Sequence, residues 1–328
     1  MNPFKRLREL GIVGMNERNA RYIHMHNPRA LYPLVDDKLR TKRLAEEANI
    51  AVPRLIGVIE SNGQARRIDA MLEGHDEFVI KPSAGSGGNG ILVIIGKVGE
   101  YYRRANGGLI SREHLAHHIG NILSGMHSLG GHPDRAMIEE RVHFDPIFAD
   151  VSYQGVPDIR AVVYKGMPVM AMIRLPTRAS DGKANLHLGG VGAGIDIATG
   201  RTVGAVCHDS PVTRHPDTLE PLIGLQIPGW KTLLVLAARC QSLCGLGYLG
   251  VDLVLDARYG PLVLELNARP GLSVQLANGV GLRKRLDRID ALEHIPADAE
   301  ARAALAVELF GKSEPESEQA PAELATCG

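Results

Sequence analysis

Aromatic residues make up only 4 % of the 328-residue chain, which argues against stacking platforms for single-stranded nucleic acid. Net charge is absent too, with 37 basic residues against 37 acidic ones. A general nucleic-acid binder is therefore not expected, a local basic patch aside. Cysteine is scarce. Cys207, Cys240, Cys244 and Cys327 form no CxxC pair. Cys240 and Cys244 share an apolar helical stretch and read as core thiols in preference to a metal pair. No apolar run reaches the ~18 residues of a membrane span, and the opening MNPFKRLREL lacks the apolar segment of a signal peptide. These absences lead to the expectation of a cytoplasmic protein with no membrane span and no nucleic-acid partner.

What is present is an ordinary globular mix, 45 % apolar and 23 % charged, with a high count of 37 glycines. The length suits two or three lobes. Helical composition starts at DKLRTKRLAEEANI, and Pro53 follows its break. Strand-like RLIGVI, EFVIKP, ILVIIGK and AMIEERV follow, with a helix over SREHLAHHIGNILSGMHSL between the last two. DIRAVVYKG and PVMAMIRL read as strands joined by a tight turn at Gly166. WKTLLVLAARCQSLCG reads as an amphipathic helix, and YLGVDLVLD and PLVLELNA as a hairpin. The expected organisation is a short N-terminal segment over 1–35, a first lobe over 36–140, a second over 141–295, and a C-terminal helix and tail over 296–328. The tail is polar, rich in Pro and Glu, and expected to be disordered.

The glycine-rich stretch SAGSGGNG contains a GxGxxG match at Gly85, Gly87 and Gly90. A dinucleotide-binding turn would open a helix directly afterwards, but β-branched ILVII follows. No GK[ST] closes this stretch, so it is not a standard P-loop. A kinase places its lysine after the loop, whereas Lys81 precedes this one. What remains is a strand lysine followed by a glycine flap, able to lay backbone N–H groups and an ammonium over phosphates.

The second constellation is GPLVLELNARPG, residues 260–271. Glu265, Asn267 and Arg269 alternate with Leu264, Leu266 and Ala268, so strand geometry puts the three polar groups on one face. Antiparallel pairing about the preceding turn puts Asp252 opposite Glu265 or one position off. Two carboxylates this close repel, and a divalent cation would compensate them. An all-oxygen set suits Mg²⁺ in preference to Zn²⁺, completed by nucleotide phosphates. A solvated edge hairpin is the plainer alternative. His114, His117, His118 and His127 fall on one predicted helix. Their spacing allows metal binding, but a partly exposed helix face is the simpler reading.

The ordered series FVIKPSAGSGGNGI, IEERV, DIRAVVY, ANLHLGG and GVDLVLD…GPLVLELNARPG resembles the ATP-grasp carboxylate–amine ligases. Within them it most resembles the RimK-like glutamate-ligase branch and its alpha-L-glutamate ligase-like, sugar-transfer-associated proteins, over about residues 15–290. The resemblance implies an α+β fold of two lobes clamping ATP. It implies nucleotide contacts from Lys38, Lys81, Gly87, Gly88, Glu139, Glu140, Asp158 and Asn185. Glu139 and Glu140 would sit at the adenine hinge, Asp158 near the ribose, and Asn185 by the phosphates. Asp252, Glu265 and Asn267 would hold two Mg²⁺ ions, with Mn²⁺ as a substitute. Arg160, Arg174 and Arg269 would face the acyl phosphate and substrate carboxylates.

The reaction so implied activates a carboxylate with ATP and passes it to an amine, forming an amide or peptide bond and releasing ADP and phosphate. Glutamate or another amino acid, added to a peptide or small acid, is the expected substrate class. The opposing expectation is a non-catalytic regulatory or scaffold protein that only binds ATP. Family members carry a domain of roughly a hundred residues, an ordinary domain size, ahead of the motif DDK that begins here at Asp36. Part of the acceptor site is therefore expected to be missing, rebuilt by residues 1–35, or supplied by a second copy or partner chain. The loop 176–194, with Lys183 and His187, is expected to act as a lid.

Overall fold

A computed structural model describes residues 3–85 and 87–311. The tail expected to be disordered, residues 312–328, lies outside the described residues, as does Cys327. Two antiparallel sheets organise the chain. The first has six strands: β1 (Leu55–Ile59), β2 (Glu77–Pro82), β3 (Leu92–Val98), β4 (Tyr101–Arg104), β5 (Leu109–Ile110) and β6 (Ala136–Glu140), in the order β1-β6-β2-β3-β4-β5. The second has seven: β7 (Asp158–Tyr164), β8 (Met167–Leu175), β9 (Val191–Ile195), β10 (Thr202–Cys207), β11 (Ser210–Pro211), β12 (Tyr248–Asp256) and β13 (Gly260–Asn267), in the order β11-β10-β9-β8-β7-β12-β13.

Alternation decides what each sheet buries. In the first, Phe78, Ile80 and Ile138 turn inward onto Leu115, Ile119 and Ile122 of helix α2 (Arg112–Leu123). Ser111 caps that helix, accepting a hydrogen bond from His114 N. The helix stops at Leu123, earlier than the sequence suggests, because the chain turns through Gly125 at φ 86°. In the second sheet, Val163, Val251 and Leu253 belong to a larger core with Leu233, Ala237 and Cys240 of helix α3 (Trp230–Cys244). Cys240 and Cys244 are buried free thiols.

Helix α1 (Lys38–Glu47) falls within the sequence boundaries of the first lobe, but Ala45 joins the larger core and the helix packs against α3 and β13. Its start is set by Asp37, whose carboxylate accepts from Leu39 N and Arg40 N. Val13, Tyr22, Ile23 and Val35 of the N-terminal segment join the same core.

The stretch after β8 departs from expectation. Residues 191–194, read as the end of a long loop, belong to β9, and β10 and β11 extend the sheet. Glycine hid this strand. A Cβ on Gly192 would lie 2.7 Å from Leu186 Cδ2, so glycine lets that leucine of the preceding loop pack directly onto the strand face. No described helix is long and apolar enough to cross a membrane.

Candidate active site

The site grows from a fault in the β12–β13 ladder. Pairing runs Asp256 to Gly260, Leu255 to Pro261, Val254 to Leu262 and Leu253 to Val263, then shifts so that Asp252 pairs with Glu265. Leu264 is the extra residue of a β-bulge. Unbroken pairing would set Asp252 opposite Leu264 and turn Glu265 to the other face. The bulge thus brings both carboxylates onto one face. Asp252 also pairs with Arg160 on β7, and Asp158 of β7 pairs with Arg174 on β8, so one sheet face carries the whole polar row.

The contacts within the row are short and charge-assisted. Arg160 donates from Nε to Asp252 Oδ1, and from Nη2 to Oδ2 at 2.7 Å. Arg174 grips Asp158 at 2.5 and 2.6 Å and reaches Asp252 Oδ2 at 2.8 Å. The amide of Asn267 donates to Glu265 Oε1 at 3.3 Å and Asp252 Oδ2 at 3.4 Å. Burial opposes the charge on Asp252, but Arg160 and Arg174 outweigh it and hold its carboxyl well below the usual range. For Asp158 burial wins. Its carboxyl is pushed up to about 6, with the Asp252 charge adding to the rise and Arg174 opposing it.

This corrects the electrostatic argument made from sequence. The buried charge on Asp252 is compensated by two guanidinium groups and does not depend on a cation. The remaining donors still fit a hard divalent ion. Glu265 is partly exposed at the cleft and keeps spare acceptor capacity, with Asn267 and Asp252 beside it. Among the described residues no group of three or more His, Cys, Asp and Glu is placed to hold a metal. The four helix histidines do not converge on one. His114 and His117 are exposed on α2, and His127 lies beyond its end.

Asp252→Asn should cost more stability than Asp158→Asn, because it strips the carboxylate from two buried guanidinium groups instead of one. Urea unfolding at pH 7 should give about 3 kcal/mol for the former and at most about half of that for the latter. The reverse order would mean that Asp158 anchors the row. Asp252, with its depressed folded pKa, lends stability that is present above its unfolded value near 3.9 and lost as pH falls through the folded one. Asp158, with its raised value, acts in the opposite sense, losing its contribution as pH rises through about 6.

Across the cleft stand the lysines. Lys81 on β2 and Glu139 on β6 are diagonal neighbours on one face. Glu139 takes Lys81 Nζ at 2.6 Å and Lys42 Nζ at 2.8 Å, and all three are buried. The Lys42 contact is an ion pair outside hydrogen-bond alignment at Oε1. Lys38 Nζ donates to Gly85 O at the root of the glycine flap and lies 3.4 Å from Glu265 Oε2. Lys38, Lys42, Lys81, Val52, Val263 and Glu265 line one narrow cleft. A wider depression between α1 and α3, lined by residues such as Leu44 and Arg239, shares none of them.

Other sequence candidates sit nearby in distinct ways. Glu140 points away from Glu139, as alternation requires, and meets Arg54 at 3.3 Å and Tyr259 Oη at 3.2 Å. Gly87 and Gly88 turn at φ 65° and 79°, and Asn185 Nδ2 donates to Gly87 O at 3.3 Å, so the loop after β8 touches the flap. Arg269 leaves the row. The strand ends at Asn267, the period of two lapses, and the guanidinium sits 4.9 Å over the Tyr32 ring and 3.6 Å from Asp36. Lys42 went unassigned in the sequence, although it lies one helical turn from Lys38 on the same face.

The solved structure of the ATP-grasp ligase PsnB with a minimal precursor overlaps at 16 % identity and a TM-score of 0.45, covering 81 % of this chain and 62 % of that one. D-cycloserine synthetase DcsG overlaps at 15 % identity and 0.40, covering 86 % and 73 %. The D-alanine–D-alanine ligase of Bacillus anthracis complexed with ATP overlaps at 13 % identity and 0.42, covering 84 % and 66 %. This chain therefore spans about three fifths of the PsnB ligase it matches. No curated protein sequence matches it. The profile of sugar-transfer associated ATP-grasp proteins matches residues 17–291, nearly the whole two-sheet unit with its cleft, and the chain belongs to that family.

Proposed function

We propose that the protein is an ADP-forming carboxylate–amine ligase of the RimK-like kind, adding an amino acid such as glutamate to a peptide or small acid. The observation that carries this reading is the meeting of Lys38, Lys81 and Glu265 in one cleft, with Lys38 also holding Gly85 O of the flap and Asn267 and Asp252 adjoining Glu265. Ammonium groups and backbone N–H groups suit phosphates, and the facing oxygens suit Mg²⁺. ATP would lie with its phosphates between Lys81 and Glu265 and its base toward β6. Bound Mg²⁺ would neutralise phosphate charge.

In the first step a substrate carboxylate oxygen attacks the γ-phosphorus, forming an O–P bond while ADP departs. In the second an amine nitrogen attacks the acyl carbon, and phosphate leaves with the C–O electron pair. Arg160 and Arg174 lie beside Asp252, where their guanidinium groups can receive oxyanion charge. The N-terminal segment contacts the stretch that follows β13. Arg18 donates to Pro270 O at 2.8 Å, and Asp36 and Tyr32 hold Arg269. We place the acceptor there.

The test is ADP release with Mg·ATP and pooled amino acids and acidic peptides. Lys81→Ala should weaken ATP binding about 10- to 100-fold, the loss of one charge-assisted contact. Tight ATP binding without ADP release for any acceptor would favour a scaffold, and unchanged affinity in Lys81→Ala would remove that lysine from the phosphates.

A further inference from the structure

The glycine flap is tied at both ends to neighbouring structure, the second half of α2 and the connection that runs from it to β6. At the near end Ala84 N donates to the Asp134 carboxylate at 3.0 and 3.1 Å, and Gly85 bridges to Ser128 as an isolated ladder pair. At the far end His118 Nε2 lies 3.0 Å from Gly90 O. A carbonyl only accepts, so Nε2 carries the proton. The ring of His127 lies against Gly90 and would sit 2.6 Å from a Cβ there, and Gly90 itself turns at φ 76°. The two imidazoles are 6.0 Å apart, centroid to centroid. Neither histidine reaches the cleft groups described above.

We propose that His118 is a positioning residue for phosphate binding, clamping Gly90 O while the His127 ring backs the same glycine. The peptide at Gly90 closes the flap into β3. Holding it anchors the C-terminal end of the loop that carries the N–H groups of Gly87 and Gly88, and so limits the loop's freedom before ATP arrives. A flap ordered in advance loses less conformational freedom on binding. This proposal rests on the reading of the cleft as an ATP site. Lys81 and Glu265 supply charge to the phosphates, and the histidine clamp supplies alignment.

The variants are His118→Phe, which keeps an aromatic ring and loses the donor, and His118→Gln, whose amide can donate to the same carbonyl. Calorimetry with Mg·ATP should show about three- to tenfold weaker binding for His118→Phe, the scale of one neutral hydrogen bond, and near wild-type binding for His118→Gln. Adenosine, which has no phosphate, should bind all three proteins alike. Hydrogen exchange of the Gly87–Gly90 amides in the nucleotide-free protein should be faster in His118→Phe alone. Wild-type ATP affinity and exchange in His118→Phe would overturn the clamp. An equal loss for ATP and adenosine would also overturn it, reducing His118 to a general structural residue. Wild-type protein that binds no ATP would defeat the nucleotide reading of the cleft, while the exchange rates would still decide whether His118 orders the flap.

Discussion

Glu265→Gln is expected to abolish ADP release at saturating Mg²⁺ while shifting the melting temperature of the nucleotide-free protein by no more than about 2 °C. Glu265 is the carboxylate of the row with spare acceptor capacity at the cleft. Both oxygens of Asp252 are gripped by guanidinium groups, whereas among the described residues Glu265 meets the Asn267 amide and, at 3.4 Å, Lys38. Glutamine keeps the shape and removes the charge that a divalent ion needs. The small effect on folding follows from two modest terms of opposite sign. The variant loses a part-exposed pair with Lys38, worth under about 1 kcal/mol. It also loses repulsion from Asp252, which the two arginines have already reduced. Asn267→Ala should behave alike, since Asp252 Oδ2 retains Arg160 and Arg174. Normal turnover by Glu265→Gln, or an unfolded variant, would make the hairpin a structural element and nothing more.

The parts of this site that could be read in the sequence are those that depend on strict periods. The hairpin of β12 and β13, the turn at Gly166 and the helix at Trp230 all follow from alternation or 3.6-residue spacing over several residues. The register of Asp252 and Glu265 could be read only to within one position. A single bulge residue decides it, and Leu264 looks like any other strand leucine. Arg269 was misplaced for a related reason, because alternation was carried two residues past the end of the strand. β9 was missed because Gly192 answers to Leu186, a partner that only the folded chain brings near. The charge balance at Asp252 was also hidden, since Arg160 and Arg174 come from strands about 80 to 90 positions away in sequence and meet it only once the sheet is formed.

Glu139→Ala should destabilise the protein by about 3–5 kcal/mol, the cost of breaking a buried ion pair from one side. The residue is 3 % exposed, and its partners Lys42 and Lys81 are 4 % and 8 % exposed. Burial opposes its charge, yet the two ammonium groups outweigh that and keep its pKa below the ordinary carboxylate range. For Lys42 burial dominates and pulls its pKa down even with Glu139 present. Without Glu139, two cations would face each other in the interior, with only the Pro53 carbonyl left to Lys42. Adding Lys42→Met should restore more than half of the lost stability by removing one of the stranded charges. The pH dependence gives an independent reading. A carboxyl with a depressed folded pKa lends stability that is full above its unfolded value near 4.3 and is lost as pH falls through the folded value. The acid limb of wild-type unfolding should therefore be steeper than that of Glu139→Ala. Urea titrations from pH 3 to pH 7 would measure both. Equal stability of wild type and the single variant at pH 7 would mean that the two lysines escape to water, and that Glu139 does not hold Lys81 in place for a phosphate.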